Sequence, residues 1–246
     1  VGPGPARKKD RGAGHRGASR GIPGLQNRQN GAGIITTSSF SEDLKAFAAS
    51  KGADLAGIVS AFPISEARAY ESWLDRGMQA GMGYMENNRP GRGDVRSWYP
   101  EAKSALLLGF SYAQPEENVQ TARPGTGVLA RYSVLPDYHD ELKKRLNEIL
   151  DWVKERNPGT EGKIFVDSSP LLERLFARYA GLGWIGKNTM VISPKLGSYF
   201  FIAGIALNTE LTSEKSEVDH CGSCRKCIEA CPTDAFPQER VLDASK

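Results

Sequence analysis

The chain has 246 residues, of which 39% are hydrophobic and 25% charged, with a formal net charge of +3. These values are typical of a globular protein with a sizeable core, and no apolar run is long enough to predict a membrane-spanning helix. Residues 1–30 carry a local charge of +6, so the remainder is negative and the overall basicity predicts no nucleic-acid-binding surface.

The head of the chain, residues 1–38, is rich in Gly and Arg and has no apolar periodicity, which predicts disorder. It lacks the apolar region of a secretory signal. A disordered tail, a transit peptide and upstream sequence translated by mistake are all open. Because the chain begins with Val, we favour a gene fragment with a non-native head.

Helices and strands are predicted to alternate from residue 39 to about residue 208. In chain order they are a helix capped by Ser41, a strand at 53–61, a helix at 65–77, a strand at 104–112, a surface loop at 114–127, a long helix capped by Asp137, a strand at 163–167, a helix capped by Ser169 that begins at Pro170 and ends just before Gly181, and a hairpin turning at 194–197. This order predicts an α/β or α+β domain, residues 39–210, followed by a small iron–sulfur module, residues 211–246.

All four cysteines lie in one short stretch near the end of the chain. Cys221, Cys224, Cys227 and Cys231 follow the spacing C-x2-C-x2-C-x3-C-P, the bacterial ferredoxin pattern for 4Fe-4S clusters. A structural zinc site usually has two close pairs far apart, and disulfides are disfavoured by the crowding. In two-cluster proteins the fourth cysteine of such a run ligates the other cluster. These four cysteines therefore complete neither cluster.

Five ordered motifs carry a resemblance to a known family. They are RYSVLPDYH, VDSSPLLER, AGLGWIGKN, GSYFFI and CGSCRKCIEACPTDAF. Over about residues 40–246 the chain resembles the epoxyqueuosine reductases. The resemblance implies reduction of epoxyqueuosine in tRNA to queuosine by a cytoplasmic monomer that uses cobalamin, two 4Fe-4S clusters and an external electron donor. It also implies further cysteines, so we expect the natural chain to continue past Lys246.

The resemblance assigns roles to particular residues. The proton donor of the family falls on Asp167, for which the alternative is a turn made with the backbone before a helix. Corrin contacts fall near Asn87, Ala130, Val191 and Ile202, largely through backbone atoms for the last three.

Two further residues have more than one interpretation. His139 is either a hydrogen-bonded structural imidazole or a cobalt ligand, and the first is the more common role. Lys187 would meet corrin amides, meet a tRNA phosphate, or be solvated.

Two other functions compete with this one. Reductive dehalogenases are similar in using cobalamin beside two clusters, although they usually carry a twin-arginine export signal, which the head does not resemble. A ferredoxin-type electron carrier would need little beyond the cysteine segment, whereas a long ordered region precedes it here.

Overall fold

The computed structural model describes residues 37–113, 123–134 and 136–246, which belong to one compact unit. Most of the predicted head, much of the predicted loop at 114–127, and Leu135 lie outside these residues. The helices and strands are α1 Thr37–Ser50, β1 Leu55–Ser60, α2 Ala67–Asp75, β2 Ser104–Ser111, α3 Tyr138–Arg156, β3 Gly162–Val166, α4 Glu173–Tyr179, β4 Trp184–Ile185, β5 Val191–Ile192, β6 Phe200–Leu207 and α5 Lys226–Glu229.

A four-stranded sheet organises the unit in the order β1-β2-β6-β3. Each neighbouring pair in it is antiparallel, so of the two predicted classes the structure selects α+β. Parallel strands would have required a crossover between each neighbouring pair. Here β6 comes last in sequence and inserts between β2 and β3, where it joins the two halves of the sheet.

The core covers both faces of the sheet, as the alternation of side chains along β2 shows. Leu106 and Leu108 face α1 and α3 on one side, whereas Ala105 and Leu107 face α4 on the other. The three leucines are fully buried, and burial of each contributes about 1.5–3 kcal/mol relative to exposure. The sheet is therefore the buried central layer of the unit, and the loops that follow its strands lie at its edges.

The ends of the helices agree with the sequence in part. The Asp137 carboxylate accepts a hydrogen bond from the backbone N–H of His139, which confirms the predicted cap of α3. The predicted cap at Ser41 is wrong, because Ser41 lies inside α1 and its hydroxyl donates to the carbonyl of Thr37 at 2.8 Å. Helix α4 begins at Glu173, later than the predicted start at Pro170.

The structure confirms the turn of the predicted hairpin, but the strands on either side of the turn pair with other strands instead of with each other. Ser193 and Gly197 exchange two backbone hydrogen bonds of 2.8 and 2.9 Å. Strand β5, however, pairs with β4 in a separate two-stranded ribbon, while β6 continues into the main sheet. The turn is a local feature, whereas the partner of each strand is decided by tertiary packing.

Residues 211–246 are hydrogen-bonded to the rest of the unit. The indole N–H of Trp73 donates to the carbonyl of Leu242 at 2.6 Å, and the backbone N–H of Ala244 donates to Met78 at 2.9 Å. The regular structure described in this segment is α5 and one isolated bridge. A ferredoxin-like module bounded at residue 211 stays a prediction. Among the described residues, no helix combines the length and apolarity needed to cross a membrane.

Candidate active site

An open cavity of about 280 Å³ lies at the edge of the sheet where β2 and β3 end and β6 begins. Its wall carries five aromatic rings, three ionisable side chains besides the tyrosines, and a few small or apolar residues. These residues are Tyr112, Tyr132, Tyr138, Asp167, Glu173, Arg174, Met190, Val191, Ser198, Phe200, Phe201 and Ile202.

Asp167 projects from the first position after β3 into this cavity. Its backbone has φ +54°, in the left-handed region, which Asp and Asn tolerate better than most residues. The side chain is 69% exposed, so the carboxylate stands at the cavity mouth. The sequence left two roles open for Asp167, a catalytic acid and a turn residue. The geometry combines a turn in the backbone with an accessible carboxylate.

Tyr138, the first residue of α3, holds that carboxylate. Its hydroxyl donates a hydrogen bond of 3.0 Å to Asp167 Oδ2, and its ring stacks on Phe201 with centroids 3.9 Å apart. Burial, followed by the negative charge of Asp167, raises the pKa of Tyr138. The hydroxyl therefore remains a hydrogen-bond donor to Asp167 at neutral pH.

Glu173 is a second acid in the wall, and the sequence reasoning missed it. Burial raises its pKa to about 7, assisted by the nearby charge of Asp167 and opposed by hydrogen bonds from Ser169 and the Asp167 backbone N–H. The Ser169 hydroxyl donates to Glu173 Oε1 at 2.7 Å. The only sequence signal was its place in VDSSPLLER, because its burial depends on elements distant in the chain.

The predicted cofactor contacts divide into two groups. Val191 is buried, Ile202 is half-buried, and both line the cavity with Asp167. Asn87 and Ala130 are exposed and are not among the described lining residues. The carbonyl of Asn87 instead accepts a hydrogen bond of 2.8 Å from Arg92. The roles of all these residues toward a cofactor stay predictions.

His139 has the hydrogen bond and ring stacking of a structural imidazole, and its alternative role as a cobalt ligand stays a prediction. Its Nδ1 lies 2.9 Å from Asp137 Oδ1, and its ring stacks on Tyr138 with centroids 4.1 Å apart. Its Nε2 lies 3.8 Å from Asp167 Oδ2, too far for a hydrogen bond. The imidazole therefore lies beside Asp167 without a hydrogen bond to it.

Lys187 is not solvated, and its two other predicted roles, contact with corrin amides or with a tRNA phosphate, stay predictions. It is 6% exposed, its Nζ donates to the carbonyl of Gly222 at 2.9 Å, and it forms an ion pair with Glu239 at 2.9 Å. Because Gly222 follows Cys221 directly, this buried lysine fixes the cysteine loop to the rest of the unit.

Hydrogen-bond donors lie beside two of the four free cysteines. The indole N–H of Trp184 donates to Cys221 Sγ at 3.4 Å, and the backbone N–H of Ala235 donates to Cys231 Sγ at 3.3 Å. The Ala235 N–H is the main cause of a lowered pKa at Cys231. In the part of the chain that the structure describes, no three His, Cys, Asp or Glu side chains lie close enough to hold one metal ion. Ligation by these cysteines stays a prediction.

Comparison with known proteins places the chain in a family. A family model described as "Epoxyqueuosine reductase QueG, DUF1730" matches residues 92–168. The epoxyqueuosine reductase of Cyclobacterium marinum is 38% identical over 215 residues, which cover 87% of this chain and 69% of the relative. The chain belongs to the epoxyqueuosine reductase family. That of Leadbetterella byssophila is 39% identical, covering 84% of this chain and 67% of the relative.

Solved structures support the same assignment for the fold of this epoxyqueuosine reductase family member. An epoxyqueuosine reductase with an epoxyqueuosine-modified tRNA stem loop superposes with a TM-score of 0.78 at 28% identity, covering 85% of this chain and 56% of that one. The Bacillus subtilis enzyme gives a TM-score of 0.77 at 27% identity with similar coverage. The chain therefore spans little more than half the length of these structures. A B12-dependent reductive dehalogenase, at 16% identity and a TM-score of 0.55, shares the fold alone.

Proposed function

We propose that this chain carries the active site for reduction of epoxyqueuosine to queuosine in tRNA, and that Asp167 is the proton donor. The observation that supports this proposal is an exposed Asp167 carboxylate, held by Tyr138, at the mouth of an aromatic cavity. The Bacillus subtilis relative is described with an aspartate catalytic loop that swings out of its active site. The left-handed turn at Asp167 is a suitable place for such a loop.

The chemistry requires an acid at this position. Removal of an epoxide oxygen as water breaks two C–O bonds, forms a C=C bond, and consumes two electrons and two protons. The departing oxygen carries negative charge until it is protonated, so a positioned acid raises the rate, typically by a factor of about 10²–10⁴. Tyr138 orients the Asp167 side chain toward the cavity and keeps its own proton because its pKa is raised.

The residues of the cavity fit a flat macrocycle. Five aromatic rings and the side chains of Val191 and Ile202 give a mainly apolar wall, although about 280 Å³ is room for only part of a corrinoid. These residues would hold one face of cobalamin, with Asn87 and Ala130 outside the cavity as further contacts. When bound, cobalamin supplies the two-electron reduction that no amino-acid side chain can perform. The chain itself supplies the wall, the orientation and the protons.

The cysteine segment fits iron–sulfur ligation in its donor chemistry. Cys221, Cys224, Cys227 and Cys231 are free thiols at cluster spacing, and N–H donors lie beside two of the sulfurs. Clusters bound there would supply single electrons from an external donor. We propose that the enzyme works as a monomer in the cytoplasm, and that the tRNA docks over the cavity as a substrate.

The proposed function is tested by nucleoside analysis of tRNA from cells that lack the gene and must make queuosine themselves. We expect epoxyqueuosine to accumulate and queuosine to disappear, and restoration of the gene to reverse both changes. If queuosine persists in a strain without another reductase, this substrate assignment is wrong. The two competing functions, reductive dehalogenation and electron transfer by a ferredoxin-type carrier, would then need testing.

Replacement of one cysteine tests the ligand assignment. We expect Cys224→Ser to lower the iron content of the anaerobically purified protein, because Ser is a poor ligand for iron in such clusters. Ser223→Ala in the same loop is the matched control and should leave the iron content at the wild-type value. An unaltered iron content in Cys224→Ser, measured by metal analysis, would remove Cys224 from the ligand set.

A further inference from the structure

Glu173 is the ionisable group in the cavity wall that the proposed mechanism does not yet use. It is the first residue of α4, six positions after Asp167, and both side chains line the cavity. The hydroxyl of Ser169, two residues after Asp167, donates to Glu173 Oε1 at 2.7 Å, and the charge of Asp167 acts on the pKa of Glu173, so the two acids are neighbours in the wall. The Asp167 side chain is mostly exposed, at 69%, and Glu173 is half-buried.

The two acids suit different tasks. An exposed carboxylate can reach the substrate, but solvation favours its charged form once it has lost a proton. A buried carboxyl favours the neutral form and retains its proton near neutral pH. The reaction consumes two protons in each turnover, so Asp167 must be reprotonated after it has protonated the departing oxygen.

We infer that Glu173 is a proton reserve for Asp167. After Asp167 has given its proton to the departing oxygen, the O–H bond of neutral Glu173 breaks and the proton moves to the Asp167 carboxylate. Glu173 is left as a carboxylate and is reprotonated from solvent through the open cavity, so no electrons move in this step. Because Glu173 acts through Asp167, it is a supporting residue and not a catalytic one. This inference rests on the proposed function.

The charges around Glu173 act in two directions on this exchange. The negative charge of Asp167, at the end of β3, holds the proton on Glu173, and protonation of Asp167 removes that influence. Arg174 on α4 opposes the effect of Asp167 by lowering the pKa of Glu173, and it stabilises the Glu173 carboxylate that remains after transfer. The ionisable residues that line the cavity from other elements are Tyr112, Tyr132 and Tyr138, while its described lining residues from β5 and β6 carry no charge. His139 of α3 faces Asp167 from outside this lining, with its Nε2 3.8 Å from Asp167 Oδ2.

The test compares the wild-type holoenzyme with Glu173→Gln, which keeps an oxygen to accept the Ser169 hydrogen bond but holds no transferable proton. We expect the variant to lower kcat by roughly tenfold, less than loss of a direct donor, with KM for the tRNA within about twofold of wild type. The wild-type kcat should fall as pH rises through about 7, and the variant should lose this step in the pH profile.

A second measurement does not depend on activity. Infrared difference spectra of the purified protein between about pH 5 and about pH 9 should show a protonated carboxylic acid that titrates in wild type and is absent from Glu173→Gln. Glu155→Gln, an exposed position on α3, is the control and should retain the band.

The outcomes separate this inference from the proposed function. An active wild type whose pH profile is unchanged in Glu173→Gln overturns the inference alone, as does a wild-type protein without the titrating infrared band. A wild-type holoenzyme that does not reduce epoxyqueuosine overturns the proposed function together with the inference. Loss of both the step in the pH profile and the infrared band in Glu173→Gln supports the inference that Glu173 is a proton reserve.

Discussion

Asp167→Asn is expected to lower turnover of epoxyqueuosine by a factor of about 10²–10⁴ while leaving cobalamin binding unchanged. Asn has nearly the same shape and can accept the Tyr138 hydrogen bond that Asp167 Oδ2 accepts, but it carries no proton to donate. Asn also tolerates the left-handed backbone at this position. The side chain is 69% exposed, so the substitution should have little effect on folding. Single-turnover kinetics and spectroscopic titration with cobalamin measure the two quantities separately.

The matched control for this substitution is Asp151→Asn. Asp151 is an exposed residue of α3 and is not among the described residues that line the cavity. The control makes the same chemical change and should retain wild-type turnover. If Asp167→Asn turns over at a rate within about twofold of the control, Asp167 is not the proton donor. Weakened cobalamin binding would instead indicate that Asp167 mainly supports the cofactor.

Glu173→Gln is expected to stabilise the protein above neutral pH. The pKa of Glu173 is about 7 in the folded chain against 4.5 for an unperturbed Glu. The folded state therefore binds more protons than the unfolded state between these values, and the stability of wild type falls as pH rises from about 4.5 to about 7. Neutral Gln removes this loss, which the pKa difference places at up to about 3 kcal/mol. Because the residue as a whole is half-buried, we take this value as an upper bound.

Thermal unfolding across the pH range measures the effect. The two proteins should have similar Tm values near pH 4.5, and the variant should have the higher Tm at pH 8. Glu155→Gln removes an exposed carboxylate from α3 and should follow the wild-type curve. Equal pH dependence in wild type and Glu173→Gln would mean that Glu173 is charged in the folded protein at neutral pH.

Local sequence was sufficient for the elements that depend on near neighbours. The apolar run of β2 predicted a strand from Ser104, and Asp137 predicted the start of α3. Both signals act within a few residues, through strand-length burial and a side-chain cap. The start of α4 was predicted too early, because the Ser169 hydroxyl bonds to the Glu173 side chain and caps no helix.

Resemblance in five ordered motifs determined the family and selected Asp167, because motif residues can be matched one by one along the chain. What those residues do in space was not accessible in this way. Lys187 was expected to be solvated or to bind a ligand, yet it is buried beneath the cysteine loop, where Glu239 compensates its charge. Its partners are more than thirty residues away in sequence, so no local pattern could indicate them.

The sequence by itself determined the family, the cysteine spacing, the position of the sheet strands and one acid of the cavity. Only the tertiary structure decided that β5 pairs with β4, that β6 lies between β2 and β3, and that Glu173 lines the same cavity as Asp167. The reason is that strand pairing and burial are properties of segments brought together from distant parts of the chain. The ionisation of Glu173 follows from that burial: desolvation raises the pKa of a carboxyl only where the fold removes water from around it.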